Sequence, residues 1–492
     1  MPPSEPVNGN LRHRSAGGSE GQKDRAESQQ PHAEENKPQG NLSLWSALPL
    51  VALVIVISVI VFVLLRGQTP PPACYPESRE ETCYEGKKDA YRLYGTKTDY
   101  RVLVSMYELD KQKEYVVPDC TPQGLFLFNR HTTRYPDKDD IEKMVEAMPR
   151  LQSNIQAAAK NGMVHLCKSD LDALSNWTLR FKPDDDNHVT PSGQNVSYDQ
   201  AKRFLSMFPK LFSPFRASDY VVGFTSRVRT LETAKAFLHG LLSETEYSEV
   251  EKHFLPPQDD ILQFHKECDK ISKEKAGTPP AVEAYEKGPY WQRLLTTLTW
   301  RLGFNVTKAD LKMMLRACQF EYATVRRGPD DLKASEFRED LDDYYKDGYG
   351  RERNYVQACP VITELVTRLN SKALTPYSLI SFFLFFKNFC AAKRLTDRVL
   401  HQRGVNYSFV MRNSGRMADR QWRSSLLCPF NANVAFVLFK CPKDSHKVVT
   451  FLNERPQQIP GCPSHHCPLE TFLNIYKEPA DTCNITEICS VA

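Results

Sequence analysis

The sequence of 492 residues has little net charge, a single long apolar run and no visible internal repeat. Its formal net charge is only +4, because 64 lysine and arginine residues nearly balance 60 acidic residues. This excludes a broad cationic surface for nucleic acid, so any positive site must be local. With 41% hydrophobic and 25% charged residues, the composition also excludes wholesale disorder and a polytopic membrane protein.

The N-terminal 43 residues contain no phenylalanine, tyrosine or cysteine, and residues 1–43 are therefore predicted to be a disordered tail. The one long apolar run follows at 44–65 and holds 22 residues without a charge. A membrane-spanning helix needs roughly 20 such residues. We expect a retained transmembrane signal anchor, which would join the protein to a membrane through one helix. The alternative is a signal peptide cleaved near "PPPAC", before Cys74, although signal-peptide cores are shorter, at about 7–15 residues.

Cysteine is absent before Cys74, and all 14 cysteines follow the apolar run. Five Asn-x-Ser/Thr glycosylation acceptors also follow it: Asn176, Asn195, Asn305, Asn406 and Asn484. Together they predict a single-pass membrane protein with a cytosolic tail and residues 66–492 in the secretory-pathway lumen or outside the cell. A cytosolic domain with scattered thiols is the alternative. Short disulfide loops are plausible for two neighbouring pairs, Cys462 with Cys467 and Cys483 with Cys489.

Two strand-then-helix units predict an α/β fold. "GLFLF" reads as a buried strand that ends at the stretch "RHTTRYP", residues 130–136, and a helical pattern follows it. The second unit is "YVVGF" followed by the helical period of "RVRTLETAKAFLHGL". Such units are typical of a mainly parallel sheet that binds ligands at the carboxyl ends of its strands. Between about 246 and 355 the sequence is charged and helical, which predicts an inserted helical lobe.

The stretch "RHTTRYP" places His131 between Arg130 and Arg134. Guanidinium groups bind a phosphate dianion through paired hydrogen bonds, and they lower the pKa of a neighbouring histidine. A neutral imidazole beside a held phosphate can attack phosphorus. Arg229, just inside the second helix, would add a third cation where backbone N–H groups also favour an anion. A surface histidine among solvated cations is the alternative for the first motif alone.

"RHTTRYP" after an apolar strand resembles the Arg-His-Gly-x-Arg-x-Pro signature of the histidine acid phosphatase branch of the histidine phosphatase superfamily. Stretches such as "YGTKTDYR", "RVRTLETAKAFLHGL", "YYKDGYG" and "RQWRSSLLCPFNANVAFVLFKC" are similar to the multiple inositol polyphosphate phosphatases within that branch. The resemblance runs from about residue 74 to the C-terminus. It implies a phosphoglycerate-mutase-like α/β core with an α-helical cap, which would be the lobe at about 246–355.

The resemblance also implies an activity, the removal of phosphate from inositol polyphosphates, namely inositol hexakisphosphate and lower ones. His131 would be the nucleophile that forms a phosphohistidine. Arg130, Arg134 and Arg229 would bind the phosphate, and no metal or other cofactor would take part.

Two residues depart from the family pattern. Thr132 replaces the motif glycine, so its hydroxyl would either donate to the phosphate or crowd it. The family also has a later His-Ala-Glu triplet, whose acid protonates the leaving oxygen. The best alignment places Asn388, Phe389 and Cys390 on that triplet. Asn388 can donate a hydrogen bond to phosphate, but neither it nor a buried Cys390 thiol is a suitable acid.

Three explanations are open for the missing triplet. Asp397 or His401 supplies the proton, the protein binds inositol phosphates without turnover, or the coding sequence for about 377–406 contains an error. Resemblance is good on both sides of that window, which favours an error or a locally diverged loop. We therefore predict an active inositol polyphosphate phosphatase, with a binding-only pseudoenzyme as the alternative.

Overall fold

The computed structural model describes residues 92–263, 268, 273, 276–325, 333–348, 350, 354, 359–370, 378–384, 420 and 422–490. The predicted tail at 1–43, the predicted anchor at 44–65 and the triplet position at 388–390 lie outside these ranges. Within these ranges, no helix is both long and apolar enough to cross a membrane.

In the described part of the chain, seven strands form one mixed sheet. They are β1 (Thr121–Arg130), β2 (Tyr220–Phe224), β3 (Ser378–Leu384), β4 (Asn433–Lys440), β5 (His446–Leu452), β6 (Arg455–Gln457) and β7 (His466–Pro468). The order across the sheet is β2-β3-β1-β4-β5-β6, and β7 pairs with β5.

The prediction of a mainly parallel sheet is correct for only one half of it. β1, β2 and β3 run parallel, whereas the pairings among β1, β4, β5, β6 and β7 are antiparallel. Short connections explain the antiparallel pairs of β4 with β5 and of β5 with β6, because antiparallel strands need no crossover helix. The antiparallel pair of β1 with β4 instead joins strands that are far apart in the chain. The connection from β5 to β6 has two residues, Asn453 and Glu454, both with positive φ, as in the tight turns that favour hairpins.

The helices lie before, between and after the strands. They are α1 (Tyr100–Tyr107), α2 (Lys138–Lys160), α3 (Lys168–Ser175), α4 (Pro191–Met207), α5 (Val228–Leu241), α6 (Glu244–Glu251), α7 (Asp259–Leu262), α8 (Pro280–Lys287), α9 (Pro289–Leu302), α10 (Lys308–Val325), α11 (Lys333–Asp347), α12 (Cys359–Asn370), α13 (Ser424–Leu427), α14 (Leu469–Asp481) and α15 (Ile485–Cys489).

The sheet is buried on both faces, because alternate side chains of its central strands enter different cores. From β1, Leu125 and Leu127 pack into one apolar cluster with α4 and α5, and Phe126 and Phe128 pack into a second with α12 and α14. Successive side chains of a strand point to opposite faces, so a continuous apolar run fits a strand covered on both sides. The central strands therefore lie between two apolar cores.

A third apolar cluster joins α8, α9, α10 and α11 to the end of α2 and the segment after it. Trp291 and Phe337 are buried in it. The described residues between 246 and 355 are helices and connections, without a strand. Side chains of α10 and α11 face the carboxyl end of β1 across a cavity.

Candidate active site

The carboxyl ends of the three parallel strands meet at one edge of the sheet. β1 ends there at Arg130, and the register pairs Arg130 with Leu384, the last residue of β3. On the other side of β3, β2 ends at Phe224 and leads into α5. Arg229 is the second residue of that helix. The fold therefore brings the first arginine-histidine motif and Arg229 to the same edge.

His131 is buried, with 2% of its surface exposed, and its ring has a defined tautomer. The Nδ1 atom lies 3.0 Å from the carbonyl oxygen of Thr132. A carbonyl oxygen can only accept a hydrogen bond, so Nδ1 carries the proton and Nε2 retains its lone pair. Burial lowers the pKa of His131 well below 6.5, and the guanidinium groups of Arg130, Arg229 and Arg134 lower it further. The ring is therefore a neutral nucleophile.

Arg130 is held from one side by backbone carbonyls and from another by an aromatic ring. Its Nη1 donates to the carbonyl oxygens of Thr96 and of Cys428, the latter at 2.8 Å. Its Cζ lies 4.8 Å from the ring centroid of Phe430. These contacts fix the guanidinium plane before any ligand binds, which reduces the entropy lost on binding.

The other two arginines are held by polar groups of neighbouring residues. Arg134 donates through Nη2 to Asp137 at 3.1 Å and through Nη1 to the Tyr135 carbonyl at 2.7 Å. Arg229 is buried and donates through Nη1 to Oδ1 of Asn187 at 2.7 Å. Arg229 is absent from the lining of the cavity described next, so its influence on His131 is electrostatic in this structure.

A cavity of about 470 Å³ opens at this edge, and Arg130, His131 and Arg134 line it. That volume lies within the range of about 300–1,000 Å³ typical of small-molecule sites. Six further cations line the same cavity, namely Lys97, Lys308, Lys312, Arg316, Arg338 and Lys346. Five carboxylates also line it, so its eight cations are in excess by three charges, which suits an anionic ligand.

The cations at the sheet edge destabilise one another. Burial lowers the pKa of Arg229 to about 9, and the neighbouring Arg134 adds to this effect. Burial lowers the pKa of Arg130 well below its ordinary value, and Arg134 lowers it further. A bound phosphate dianion relieves this repulsion, because its two charges and its oxygens match the guanidinium donors. The electrostatics thus favour an occupied site.

Thr132 does not direct its hydroxyl to a ligand. Its Oγ1 donates to the carbonyl oxygen of Gly193 at 2.9 Å, and its backbone N–H donates to Oγ1 of Thr233 at 3.1 Å. Residues 131–136, which follow β1, are called the nucleophile loop below. Thr132 thus joins this loop to α4 and α5 and does not crowd the cavity. Neither outcome expected for this residue from the sequence is found.

The residues at the predicted triplet position, Asn388 and Cys390, lie outside the described residues, as do Asp397 and His401. Leu384, the last described residue before them, stands beside Arg130 in the sheet. The strand that leads to the triplet position therefore ends at the same edge as the nucleophile loop.

Several residues at the site were missed in the sequence. Lys97 lies more than 30 positions before His131, and Phe430 lies nearly 300 positions after it. Asn187 lies in a polar loop. Lys97 and Phe430 fall within stretches that resemble the family, "YGTKTDYR" and "RQWRSSLLCPFNANVAFVLFKC". That resemblance was the one available signal, because nothing local marks these residues as parts of a site.

Comparisons with known proteins agree with this geometry. The family model "Histidine phosphatase superfamily (branch 2)" matches residues 124–385. Multiple inositol polyphosphate phosphatase 1 of Drosophila melanogaster is 30% identical over 433 residues, covering 82% of this chain and 89% of its own length. The Homo sapiens protein of that name is 27% identical over 453 residues, covering 81% of this chain and 89% of its own length.

Two solved structures share the fold. The multiple inositol polyphosphate phosphatase of Bifidobacterium longum, in complex with inositol hexasulfate, aligns with a TM-score of 0.58 at 12% identity, covering 82% of this chain and all of its own. The phytase from D. castellii aligns with a TM-score of 0.56 at 16% identity, covering 76% of this chain and 82% of its own. The chain belongs to the histidine phosphatase superfamily, branch 2, which confirms the family indicated by the sequence.

Proposed function

We propose that this protein is a phosphomonoesterase that removes phosphate from inositol polyphosphates through a phosphohistidine on His131. The main support is the state of His131, which is buried and neutral and lines a cavity together with several cations. Its Nδ1 donates a hydrogen bond to the Thr132 carbonyl, which leaves the lone pair of Nε2 available for attack. The substrate class is supported by the names of the two curated relatives, both inositol polyphosphate phosphatases. It is also supported by the charge of the cavity lining, in which the eight cations outnumber the five carboxylates.

In this mechanism, Arg130 and Arg134, which line the cavity, hold the phosphate that reacts. We propose that Arg229, which does not line the cavity in this structure, contacts that phosphate when the substrate binds. Nε2 of His131 attacks phosphorus in line as the bond from phosphorus to the inositol oxygen breaks. The guanidinium groups stabilise the charge on the equatorial oxygens throughout. Water then attacks the phosphohistidine, and inorganic phosphate leaves. The Thr132 carbonyl holds the Nδ1 proton in both steps and so keeps the ring oriented.

The helical segment at about 246–355 is proposed to be the cap of this phosphatase domain, which spans 66–492. Its helices α10 and α11 carry most of the further cations that line the cavity, including Lys312 and Arg316. These side chains would bind the phosphates that do not react. In this proposal the sheet supplies the chemistry and the cap selects a polyphosphate.

The role of His131 as the nucleophile is tested with the variant His131→Ala in the full-length chain. We expect this variant to bind inositol hexakisphosphate and to release no phosphate from it, because loss of the nucleophile leaves the arginines in place. Phosphate release and binding by calorimetry are measured together, and a thermal midpoint near that of the wild type shows an intact fold. In the wild type, an acid-labile phosphoenzyme should be trapped by rapid quenching.

Activity of His131→Ala near the wild-type level would overturn the nucleophile assignment. Binding by the wild type without any phosphate release would instead establish the pseudoenzyme alternative.

We further propose that residues 44–65 anchor the protein in a membrane, with the tail 1–43 in the cytosol and residues 66–492 in the secretory-pathway lumen or outside the cell. Disulfides support an oxidising compartment: Cys120–Cys441, Cys268–Cys489, Cys359–Cys483 and Cys462–Cys467. Four glycosylation acceptors are exposed in the structure, namely Asn176, Asn195, Asn305 and Asn484.

A further inference from the structure

An inositol oxygen leaves poorly as an alkoxide, so the proposed reaction needs a proton donor at the leaving oxygen. The residues aligned with the family's triplet, Asn388 and Cys390, do not provide a suitable acid. The cavity itself contains candidates, because five carboxylates line it together with His131: Glu286, Glu339, Asp342, Asp343 and Asp347.

Four of these carboxylates lie on α11. Glu339, Asp343 and Asp347 are spaced four residues apart and therefore share one face of that helix, and the neighbouring Asp342 also borders the cavity. Arg130, at the end of β1, and His131 and Arg134 in the loop that follows line the same cavity. A carboxyl group on this helix face therefore borders the same space as the nucleophile, which is the space that a substrate would fill.

Most of these carboxylates already have partners. Lys346 lies 3.0 Å from Asp342, and Gln319 donates to Glu339 at 2.5 Å. Glu286 is paired with Lys308 and with Arg338. Such pairing stabilises a charged carboxylate and makes it a poor acid.

Asp343 differs from these carboxylates. No described residue donates a hydrogen bond to its carboxyl group or forms an ion pair with it. Burial raises the pKa of Asp343 well above 3.8, and Asp347, Glu339 and Asp340 on the same helix raise it further, whereas Lys97 opposes them. Asp343 also interacts with the Arg130 guanidinium. A bound phosphate dianion would raise its pKa again, because it brings more negative charge.

We propose that Asp343 is the general acid of this enzyme, donating its carboxyl proton to the inositol oxygen as His131 attacks phosphorus. This assignment rests on the proposed phosphatase function. In the first step, the bond from Nε2 to phosphorus forms, the bond from phosphorus to the inositol oxygen breaks, and the proton of Asp343 passes to that oxygen. The products are a free inositol hydroxyl, a phosphohistidine and an Asp343 carboxylate.

The second step regenerates both residues. The Asp343 carboxylate accepts a proton from water as the water oxygen bonds to phosphorus, and the bond from phosphorus to Nε2 breaks. Inorganic phosphate leaves, His131 is neutral again and Asp343 is protonated again. No oxidant, metal or further reactant is needed for the sum of the two steps.

The test compares two substrates in the full-length chain, because an aryl phosphate has a leaving oxygen that needs no proton. For Asp343→Asn, we expect kcat with inositol hexakisphosphate to fall by about 100- to 10,000-fold, the usual contribution of a positioned acid. With p-nitrophenyl phosphate, kcat should fall by less than about 10-fold, since that step does not use the acid. A purely structural role for Asp343 would lower both rates together.

Asp342→Asn is the matched control, because it removes the same charge one position away on the same helix. It should keep the ratio of the two rates within about threefold of the wild type, since its carboxylate is engaged by Lys346. Asp343→Glu keeps a carboxyl group at this position and so provides a second test if Asp343→Asn does not fold. It should retain at least about 10-fold more activity toward inositol hexakisphosphate than Asp343→Asn.

The pH profile gives an independent readout. A general acid must be protonated, so wild-type kcat for inositol hexakisphosphate should fall as pH rises through the pKa of Asp343. The groups that face it are Glu339, Asp340 and Asp347 on α11, with Lys97 and Arg130 from the core side. In Asp343→Asn this fall should disappear.

If Asp343→Asn lowers kcat equally for both substrates, or lowers it for neither, the assignment of Asp343 is overturned and the proposed function is not affected. A wild-type chain that hydrolyses neither substrate overturns the proposed function and this assignment with it. If Asp343→Asn matches the wild type, another group supplies the proton, and Asp397 and His401 are the next residues to replace.

Discussion

Burial and three neighbouring guanidinium groups lower the pKa of His131 well below 6.5. The ring therefore stays uncharged in mildly acidic solution, where a free histidine gains a proton. Because Nδ1 donates to the Thr132 carbonyl, the unprotonated nitrogen is Nε2. At the residue scale, the arginines thus do two things at once: they keep the histidine neutral and they attract the anion that it attacks.

The substitution Arg229→Ala measures how much one guanidinium group contributes to binding. In a His131→Ala background, which prevents turnover, Arg229→Ala should weaken binding of inositol hexakisphosphate by about 1.5–3 kcal/mol, the range for hydrogen bonds to charged groups. Arg227→Ala is the matched control. It removes the same charge two residues earlier from an exposed side chain, and it should cost less than about 1 kcal/mol. Isothermal titration calorimetry measures both, and equal losses would show that Arg229 acts only through long-range charge.

At the scale of elements, the site depends on where α4 meets the nucleophile loop. The Thr133 carbonyl accepts hydrogen bonds from the backbone N–H of Thr190 at 3.0 Å and from its hydroxyl at 3.2 Å. Gly193 lies in the first turn of α4, directly against this carbonyl. A β-carbon at position 193 would lie 2.1 Å from the Thr133 oxygen and 3.1 Å from Cγ2 of Thr132. The position therefore requires glycine for its close contact with the loop.

Gly193→Ala should displace the loop and lower the free energy of unfolding by about 1–3 kcal/mol, as overpacking does in other proteins. Activity toward p-nitrophenyl phosphate should fall as well, because His131 is displaced with the loop. Gln194→Ala, at an exposed position of the same turn, is the control and should leave both unchanged. Chemical denaturation and phosphate release are the measurements. A Gly193→Ala variant with wild-type stability and activity would show that α4 does not fix the loop.

At the scale of the whole molecule, disulfides join distant parts of the chain. Cys120 and Cys441 link the ends of β1 and β4 across 321 residues, and Cys268 joins Cys489 across 221. The predicted loop between Cys462 and Cys467 is confirmed. The predicted pair of Cys483 with Cys489 is wrong, because Cys483 bonds to Cys359, which packs beside it where α12 meets α14.

The proposed topology predicts glycans on the lumenal domain. Endoglycosidase treatment of the protein from cells should increase its gel mobility, and Asn176→Gln and Asn195→Gln should each reduce the shift, because both acceptors are exposed. Asn41, in the sequence Asn-Leu-Ser, lies on the cytosolic side of the proposed anchor. Asn41→Gln is therefore the control and should change nothing. Protease added outside sealed microsomes should remove the tail alone. Digestion of an unglycosylated domain would contradict this topology.

The sequence alone was sufficient to place the loop 130–136 after a buried strand and Arg229 at the start of a helix. Apolar alternation and helical period are local patterns, and the motif residues lie within a few positions of one another. Only the tertiary structure could add Phe430, Asn187 and Asp343, because sheet pairing and the cap bring them to the site from distant positions. The antiparallel half of the sheet and the pairing of Cys359 with Cys483 were likewise decided by long-range packing. Local patterns record which residues are apolar or charged, whereas the neighbours of a side chain depend on how the whole chain folds.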